Sequence, residues 1–134
     1  MPKTYVSEVE LDQAVAFVMN MHRGKVNAIG RWDLVREVFG EDAAQPDEQN
    51  DSNLFDRHVR ESLERWRSQG QHFCNVGNGK GYYVANTRAE YEEFKVYYLG
   101  AAKRKFEVAK MMDETADRRF GKVEKVREGQ MVMI

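Results

Sequence analysis

Apolar residues recur at three- and four-residue spacing in three stretches of the chain, which is the pattern of amphipathic helices. These stretches are residues 11–24, 31–40 and 52–68, and each ends at a glycine or two residues before one. Between the first two, the sequence KVNAIGR is predicted to form a short strand or an extended link. The third stretch has the clearest period, with its apolar face formed by Phe55, Val59, Leu63 and Trp66.

Two short β-prone runs, QHFCNV and GYYVAN, follow the third helix and are separated by the sequence GNGK. Runs of this kind on either side of a glycine-rich turn predict a β-hairpin. Tyr82 and Tyr83 would then point to opposite faces, one inward and the other towards a ligand. A phosphate-binding loop is the alternative for GNGK, but such a loop leads into a helix, whereas Lys80 is followed by a strand. The pattern therefore favours a hairpin.

A long helix is predicted after the hairpin, over residues 88–118. Thr87 and Glu90 have the spacing of a capping box, which marks a helix start, and Gly121 marks the end. Two adjoining apolar stripes run along this segment. The complete pattern predicts a mainly α protein with a small β-hairpin, in the α+β class.

Composition limits the chemistry that we expect. No apolar run approaches the ~20 residues of a membrane span, and the N-terminus lacks the layout of a signal peptide. The single cysteine, Cys74, cannot form an internal disulfide, which favours a cytoplasmic protein. One cysteine and three scattered histidines do not have the spacing of zinc ligands, so we expect neither a metal nor a cofactor.

Charge is unevenly distributed although the net charge is only −1. Residues 1–51 contain five Lys or Arg against ten Asp or Glu, whereas residues 52–134 contain sixteen against twelve. The C-terminal part is therefore basic.

The order of helix, short strand, helix, loop, helix and hairpin resembles that of winged helix-turn-helix domains of the small bacterial and phage type. Two sequences carry the resemblance: DRHVRESLERWRSQG, an Arg-rich third helix that ends at a glycine, and GKGYYVANTRAEY, a glycine-rich turn with a strand and a helix start. The resemblance covers residues 11–90. It implies a winged-helix domain over residues 1–90, followed by a long C-terminal helix and tail over residues 91–134, which either join the same compact domain or serve as a dimerisation element.

What the resemblance implies is binding of double-stranded DNA without catalysis, by a transcriptional regulator or a replication-associated module of a bacterium or phage. The helix at 52–68 would enter the major groove, and the wing would contact the phosphate backbone or the minor groove. Arginine and asparagine can read guanine and adenine, and acidic residues can accept from cytosine or orient arginines. The expected contacts are Asn53, Arg57, Arg60, Glu61, Glu64, Arg65 and Arg67 on the helix, with Asn78 and Lys80 on the wing. His58 and His72 have no nucleophile or paired carboxylate near them in sequence, so we do not expect an enzyme.

The long helix is too apolar for a lone surface helix, and we expect it to form a homodimer. The residues expected at this contact are Tyr91, Phe94, Tyr98, Ala102 and Phe106. In the alternative, the N-terminal segment PKTYVSEV and the tail QMVMI fold back and cover the second apolar stripe.

A winged-helix module that binds a protein instead of DNA is the alternative function. Acidic residues are concentrated in the loop at 41–51, and the whole chain is nearly neutral. Both features favour a protein partner, because affinity for DNA depends largely on neutralising phosphates.

Overall fold

The computed structural model describes residues 2–44, 53–76 and 81–122. Its helices and strands are α1 (Glu8–Met19), α2 (Arg31–Phe39), α3 (Leu54–Ser68), β1 (Phe73–Val76), β2 (Gly81–Val84) and α4 (Arg88–Phe120), with 3-10 turns at Lys25–Asn27 and Glu41–Ala43. The chain divides into two compact units, Met1–Tyr97 and Tyr98–Ile134. The prediction of a mainly helical fold with one small antiparallel hairpin is confirmed.

Helices α1, α2 and α3 pack around the main core of the N-terminal unit. Ser7 caps α1, since its hydroxyl accepts a hydrogen bond from the backbone N–H of Glu10 at 3.2 Å. Gly40 follows α2 with a φ of +105°, a conformation that favours glycine. The core side chains that are completely or almost completely buried are Val15, Met19, Leu34, Val35, Val38, Val59, Leu63 and Phe73.

The first helix ends earlier than its predicted boundary at residue 24. Met19 is the last helical residue and is completely buried, whereas Met21 is exposed. The reason lies in the sheet, because the chain beyond Asn20 turns to run beside β2. There the N–H of Gly24 donates to the carbonyl of Val84 at 2.8 Å, and the N–H of Val84 donates to the carbonyl of His22 at 2.9 Å.

Strand β2 lies between β1 and the stretch that joins α1 to α2. Most of the KVNAIGR sequence is not a strand: residues Lys25–Asn27 form a 3-10 turn, and the pairing is confined to Ile29. Ile29 exchanges two backbone hydrogen bonds of 2.8 Å with Tyr82. Gly81 makes this approach feasible, because a Cβ at that position would lie 3.2 Å from the Cβ of Ala28 and 3.5 Å from the carbonyl oxygen of Ile29.

Both faces of the hairpin are covered, which corrects the expectation that one tyrosine would face a ligand. Tyr82 shares its face with Phe73 and Val84 and belongs to the main core. Tyr83 lies on the other face and is buried with Cys74 under Phe94 of α4. A four-residue strand can bury both tyrosines because helices pack against each side of it.

The start of α4 is fixed by the capping box that the sequence predicted. Thr87 Oγ1 accepts from the N–H of Glu90 at 3.1 Å, and the Glu90 carboxylate accepts from the N–H of Asn86 at 2.8 Å. The same carboxylate also accepts from the N–H of Lys25 at 2.7 Å. Glu90 therefore ties the turn after α1 to the first turn of α4.

Two of the residues expected at a dimer contact are used within the N-terminal unit. Phe94 is buried against the hairpin, and the ring of Tyr91 is half-buried with its centroid 5.1 Å from that of His72. In the second unit, by contrast, Tyr98, Ala102 and Phe106 are exposed.

The N-terminal segment, which in the alternative would cover α4, packs against α2. There the Tyr5 hydroxyl donates to the carbonyl of Val38, and the Tyr5 ring meets the Phe39 ring edge-on with 5.4 Å between their centroids. The tail QMVMI lies outside the described residues, as does the acidic loop beyond Ala44. No helix within the described ranges is long and apolar enough to cross a membrane.

Candidate nucleic-acid interface

Helix α3 has the rotational phase that its apolar period predicted. Val59 and Leu63 are buried in the core, and Phe55 and Trp66 pack against its margin. Asn53 caps the helix by accepting from the N–H of Asp56 at 2.9 Å, and its amide donates to the carbonyl of Ala43 at 2.8 Å. The side chain that we expected to read adenine therefore holds the helix N-terminus.

One flank of α3 is anchored by a buried carboxylate. Asp56 is 1% exposed, and its two oxygens accept hydrogen bonds from Arg31 Nε and Nη2 at 2.9 and 2.7 Å. Arg60 Nε donates to the same carboxylate at 3.0 Å, while 48% of its side chain stays exposed. Two guanidinium groups are thus held at the surface by one buried acid, which leaves a local excess of positive charge.

The opposite flank of α3 is joined to α1 through Asp12. Arg65 donates from Nε and Nη2 to the Asp12 carboxylate at 2.9 and 2.8 Å, and the Ser62 hydroxyl donates to it at 2.6 Å. Burial alone would raise the pKa of Asp12, but the hydrogen bonds from Arg65 and Ser62 outweigh burial and lower it. The indole of Trp66 donates to the Asp12 backbone carbonyl at 2.9 Å. Arg65 thus connects two helices, and this contact turns it away from Arg60.

Arg67 is directed towards the hairpin. Its Nε donates to the carbonyl of Phe73 at 2.6 Å, and its guanidinium lies 5.0 Å from the centre of the Phe94 ring. It also pairs with Glu64 on its own helix. These contacts assign Arg67 to the junction between α3 and β1.

The outward face of α3 presents two arginines and two glutamates of the predicted set. Arg57 and Arg60 are exposed, as are Glu61 and Glu64. The Arg57 side chain makes no hydrogen bond or ion pair with another residue of the described ranges, so its guanidinium can be directed to a ligand. The apolar Leu54 is also exposed on this face. The predicted wing residues Asn78 and Lys80 lie outside the described residues.

Arg31 is a candidate contact that the sequence did not reveal. It begins α2, pairs with Asp56 on α3, and places its guanidinium 5.1 Å from the centre of the Trp32 ring. Arg31 and Asp56 are 25 residues apart, and no local pattern connects them. Only the packing of α2 on α3 brings them together.

Three other titratable groups of the hairpin, Cys74, Tyr82 and Tyr83, are buried in the core. Burial raises the pKa of the Cys74 thiol to about 11, which makes a thiolate scarce at neutral pH. Burial, together with the nearby Cys74, raises the pKa of Tyr83 to about 12. Burial and the charge of Asp56 also raise the pKa of Tyr82. Within the described ranges, no group of three or more His, Cys, Asp or Glu side chains could hold a metal ion.

No protein-family model, curated protein or solved structure matches this chain.

Proposed function

We propose that this protein is a non-catalytic, winged-helix DNA-binding protein that uses α3 as its recognition helix, in the setting of a bacterial or phage regulator or replication module. The observation that carries the proposal is the outward face of α3, where Arg57 and Arg60 are exposed on the helix that precedes the hairpin. Arg31 at the start of α2 adds a third guanidinium near the same helix. In helix-turn-helix proteins one helix enters the major groove and the helix before it crosses the DNA backbone. In the proposed arrangement α3 is the first of these and α2 is the second.

The buried Asp56 gives this face a physical basis for recognition. Because its carboxylate holds Arg60 by a hydrogen bond of 3.0 Å, that guanidinium loses less rotational freedom on binding than an unrestrained side chain would. Arg57, one turn earlier, has no such restraint and suits a phosphate contact. The two arginines would thus differ in role, Arg60 contacting a base and Arg57 the backbone.

The test measures binding of random-sequence duplex DNA by fluorescence anisotropy across salt concentrations. Four to six phosphate contacts should give a slope of log Kobs against log salt of roughly −4 to −5 for each chain bound to the duplex. Arg57→Ala should weaken binding at all sequences and reduce the magnitude of the slope by about 1 for each bound chain. Arg88→Ala is the matched control, since Arg88 is exposed and follows β2 at the end of the hairpin opposite the turn. It should leave the slope unchanged.

A protein partner is the second candidate, and the charge of the same face favours it. Arg57 and Arg60 are balanced by Glu61 and Glu64, and the exposed Leu54 adds an apolar contact. A face of this composition resembles a polar protein interface more than a phosphate-binding surface. If the protein at micromolar concentration does not bind duplex DNA in ~50 mM salt, the DNA proposal is wrong and the protein-binding alternative takes its place.

A further inference from the structure

Helix α4 contains a heptad seam within the second unit. Positions 99, 106, 113 and 120 are seven residues apart and hold Leu, Phe, Asp and Phe, and the three positions between them, 102, 109 and 116, all hold alanine. Alternating three- and four-residue spacing is the pattern of helices that pair along a common seam. Phe106 is 76% exposed and Phe120 is 74% exposed. The second unit therefore presents a seam with large and small apolar residues that nothing within the described ranges covers.

One flank of this seam changes charge along its length. Lys103, Lys110 and Asp117 lie on this flank, and Asp113 lies in the seam next to them, all within about 80° of one another around the helix axis. The two lysines come first and the two aspartates follow, so the flank is basic in its N-terminal half and acidic in its C-terminal half. A helix with this pattern complements a copy of itself only when the copy runs in the opposite direction.

We propose that the segment from Leu99 to Phe120 pairs with the same segment of a second copy in an antiparallel arrangement. Lys103 would then face Asp117 of the second copy. Lys110 would lie near the two-fold axis, beside both Lys110 and Asp113 of the second copy, so that Asp113 offsets the repulsion between the two lysines. Each phenylalanine of the seam would pack over an alanine, with Phe106 against Ala116 and Phe120 against Ala102. A large residue opposite a small one fills the interface evenly and allows the two backbones to approach.

A parallel pair would be opposed by charge inside the seam. Asp113 lies in the seam itself, so it would meet Asp113 of the second copy inside the interface. Lys105 would lie beside Lys110 of the second copy, as residues flanking a parallel seam do. This repulsion does not distinguish the two directions, because in an antiparallel pair Lys105 would lie beside Arg119 of the second copy.

Sedimentation equilibrium of the full chain, without DNA, tests the pairing separately from the proposed function. At tens of micromolar the mass should be twice the 15.6 kDa of one chain. Phe106→Asp should give a monomer with unchanged far-UV circular dichroism, because Phe106 is exposed and belongs to no core cluster. Met111→Asp is the matched control, since Met111 is also exposed but lies away from the seam. A monomeric wild-type chain, or equal loss of the dimer in both variants, overturns the proposal.

Charge exchange tests the direction. In an antiparallel pair, Lys103→Asp with Lys110→Asp places like charges together at four positions and should weaken the dimer tenfold or more. Adding Asp113→Lys and Asp117→Lys restores both the pairing and the original composition, so the fourfold variant should dimerise like the wild type. In a parallel pair the first two substitutions would instead relieve the Lys105–Lys110 repulsion and strengthen the dimer, and that result would overturn the antiparallel arrangement.

Discussion

The carboxylate of Asp56 has two arginine partners and almost no contact with solvent. Asp56→Ala removes the acceptor that Arg31 and Arg60 share. Because both guanidinium groups are partly exposed and can turn to water, the cost should fall below the ~3–5 kcal/mol of a fully buried pair. We expect the free energy of unfolding to decrease by about 1–3 kcal/mol in urea denaturation. Arg60→Ala leaves the Arg31–Asp56 pair in place and should therefore reduce the free energy of unfolding by less than Asp56→Ala does. A larger loss for Arg60→Ala would mean that Arg60, and not Asp56, contributes most of the stability of this cluster.

Two glycines should respond oppositely to alanine. At Gly81 a Cβ would press on Ala28 and on the carbonyl of Ile29, so Gly81→Ala should destabilise the protein by about 1–3 kcal/mol. At Gly100, within α4, the nearest atom to a new Cβ is Arg104 Nη1 at 3.6 Å. Gly100→Ala should therefore raise helix stability by up to about 1 kcal/mol. Thermal unfolding followed by circular dichroism measures both, and a neutral Gly81→Ala would contradict the close approach of the Ile29 segment.

The buried and the outward faces of helix α3 should contribute to different properties, the buried face to stability and the outward face to binding. Leu63 is 1% exposed, and its truncation to alanine should cost ~2–5 kcal/mol of unfolding free energy. Arg57→Ala on the outward face should change stability by no more than about 0.5 kcal/mol. Urea denaturation of the two variants tests the phase. Equal costs for the two substitutions would contradict it.

The Glu90 junction between the turn after α1 and α4 should depend on pH. Backbone hydrogen bonds from Lys25 and Asn86 lower the pKa of Glu90 below its usual 4.5. A carboxyl with a lowered folded pKa stabilises the protein fully above its unfolded pKa and loses this effect as pH falls through the folded value. The melting-temperature advantage of the wild type over Glu90→Gln should therefore hold down to about pH 5 and shrink below it.

A control for that experiment is Glu92→Gln, which removes only a surface pair with Arg88 and should cost little. If the advantage over Glu90→Gln instead grew as the pH fell, the assigned hydrogen bonds would be wrong.

Local sequence signals were sufficient to predict the presence of the helices and the hairpin and the buried face of α3, although the end of α1 was placed too late. The three- and four-residue spacing of apolar residues predicts that Leu63 is buried, and the spacing of Thr87 and Glu90 predicts where α4 begins. What these signals could not predict depends on contacts between distant segments. Tyr83 is buried because Phe94 covers it, and Arg65 is engaged because Asp12 lies opposite it. Polar residues that the sequence assigned to one outward face are in fact divided between α1, the hairpin and solvent.

At the scale of the molecule, self-association and DNA binding should be linked through salt dependence. A dimer that places two α3 helices on one duplex releases counterions from both chains. Phe106→Asp should then reduce the salt slope for duplex DNA to about half of the wild-type value while each chain still binds. Anisotropy titrations at several salt concentrations measure this change. An unchanged slope would mean that only one chain of each dimer contacts DNA.

The position of Arg67 has a consequence for how the protein avoids self-assembly through its sheet. Strand β1 pairs with β2 on one side, and within the described ranges no strand pairs with its other side. An unpaired edge can recruit a strand from another molecule, and natural proteins commonly protect such edges with a charged side chain. Arg67 occupies the Phe73 carbonyl on this strand, so an incoming strand would have to displace a charged donor to use that acceptor. Loss of the guanidinium would favour edge-to-edge aggregation of otherwise correctly folded chains.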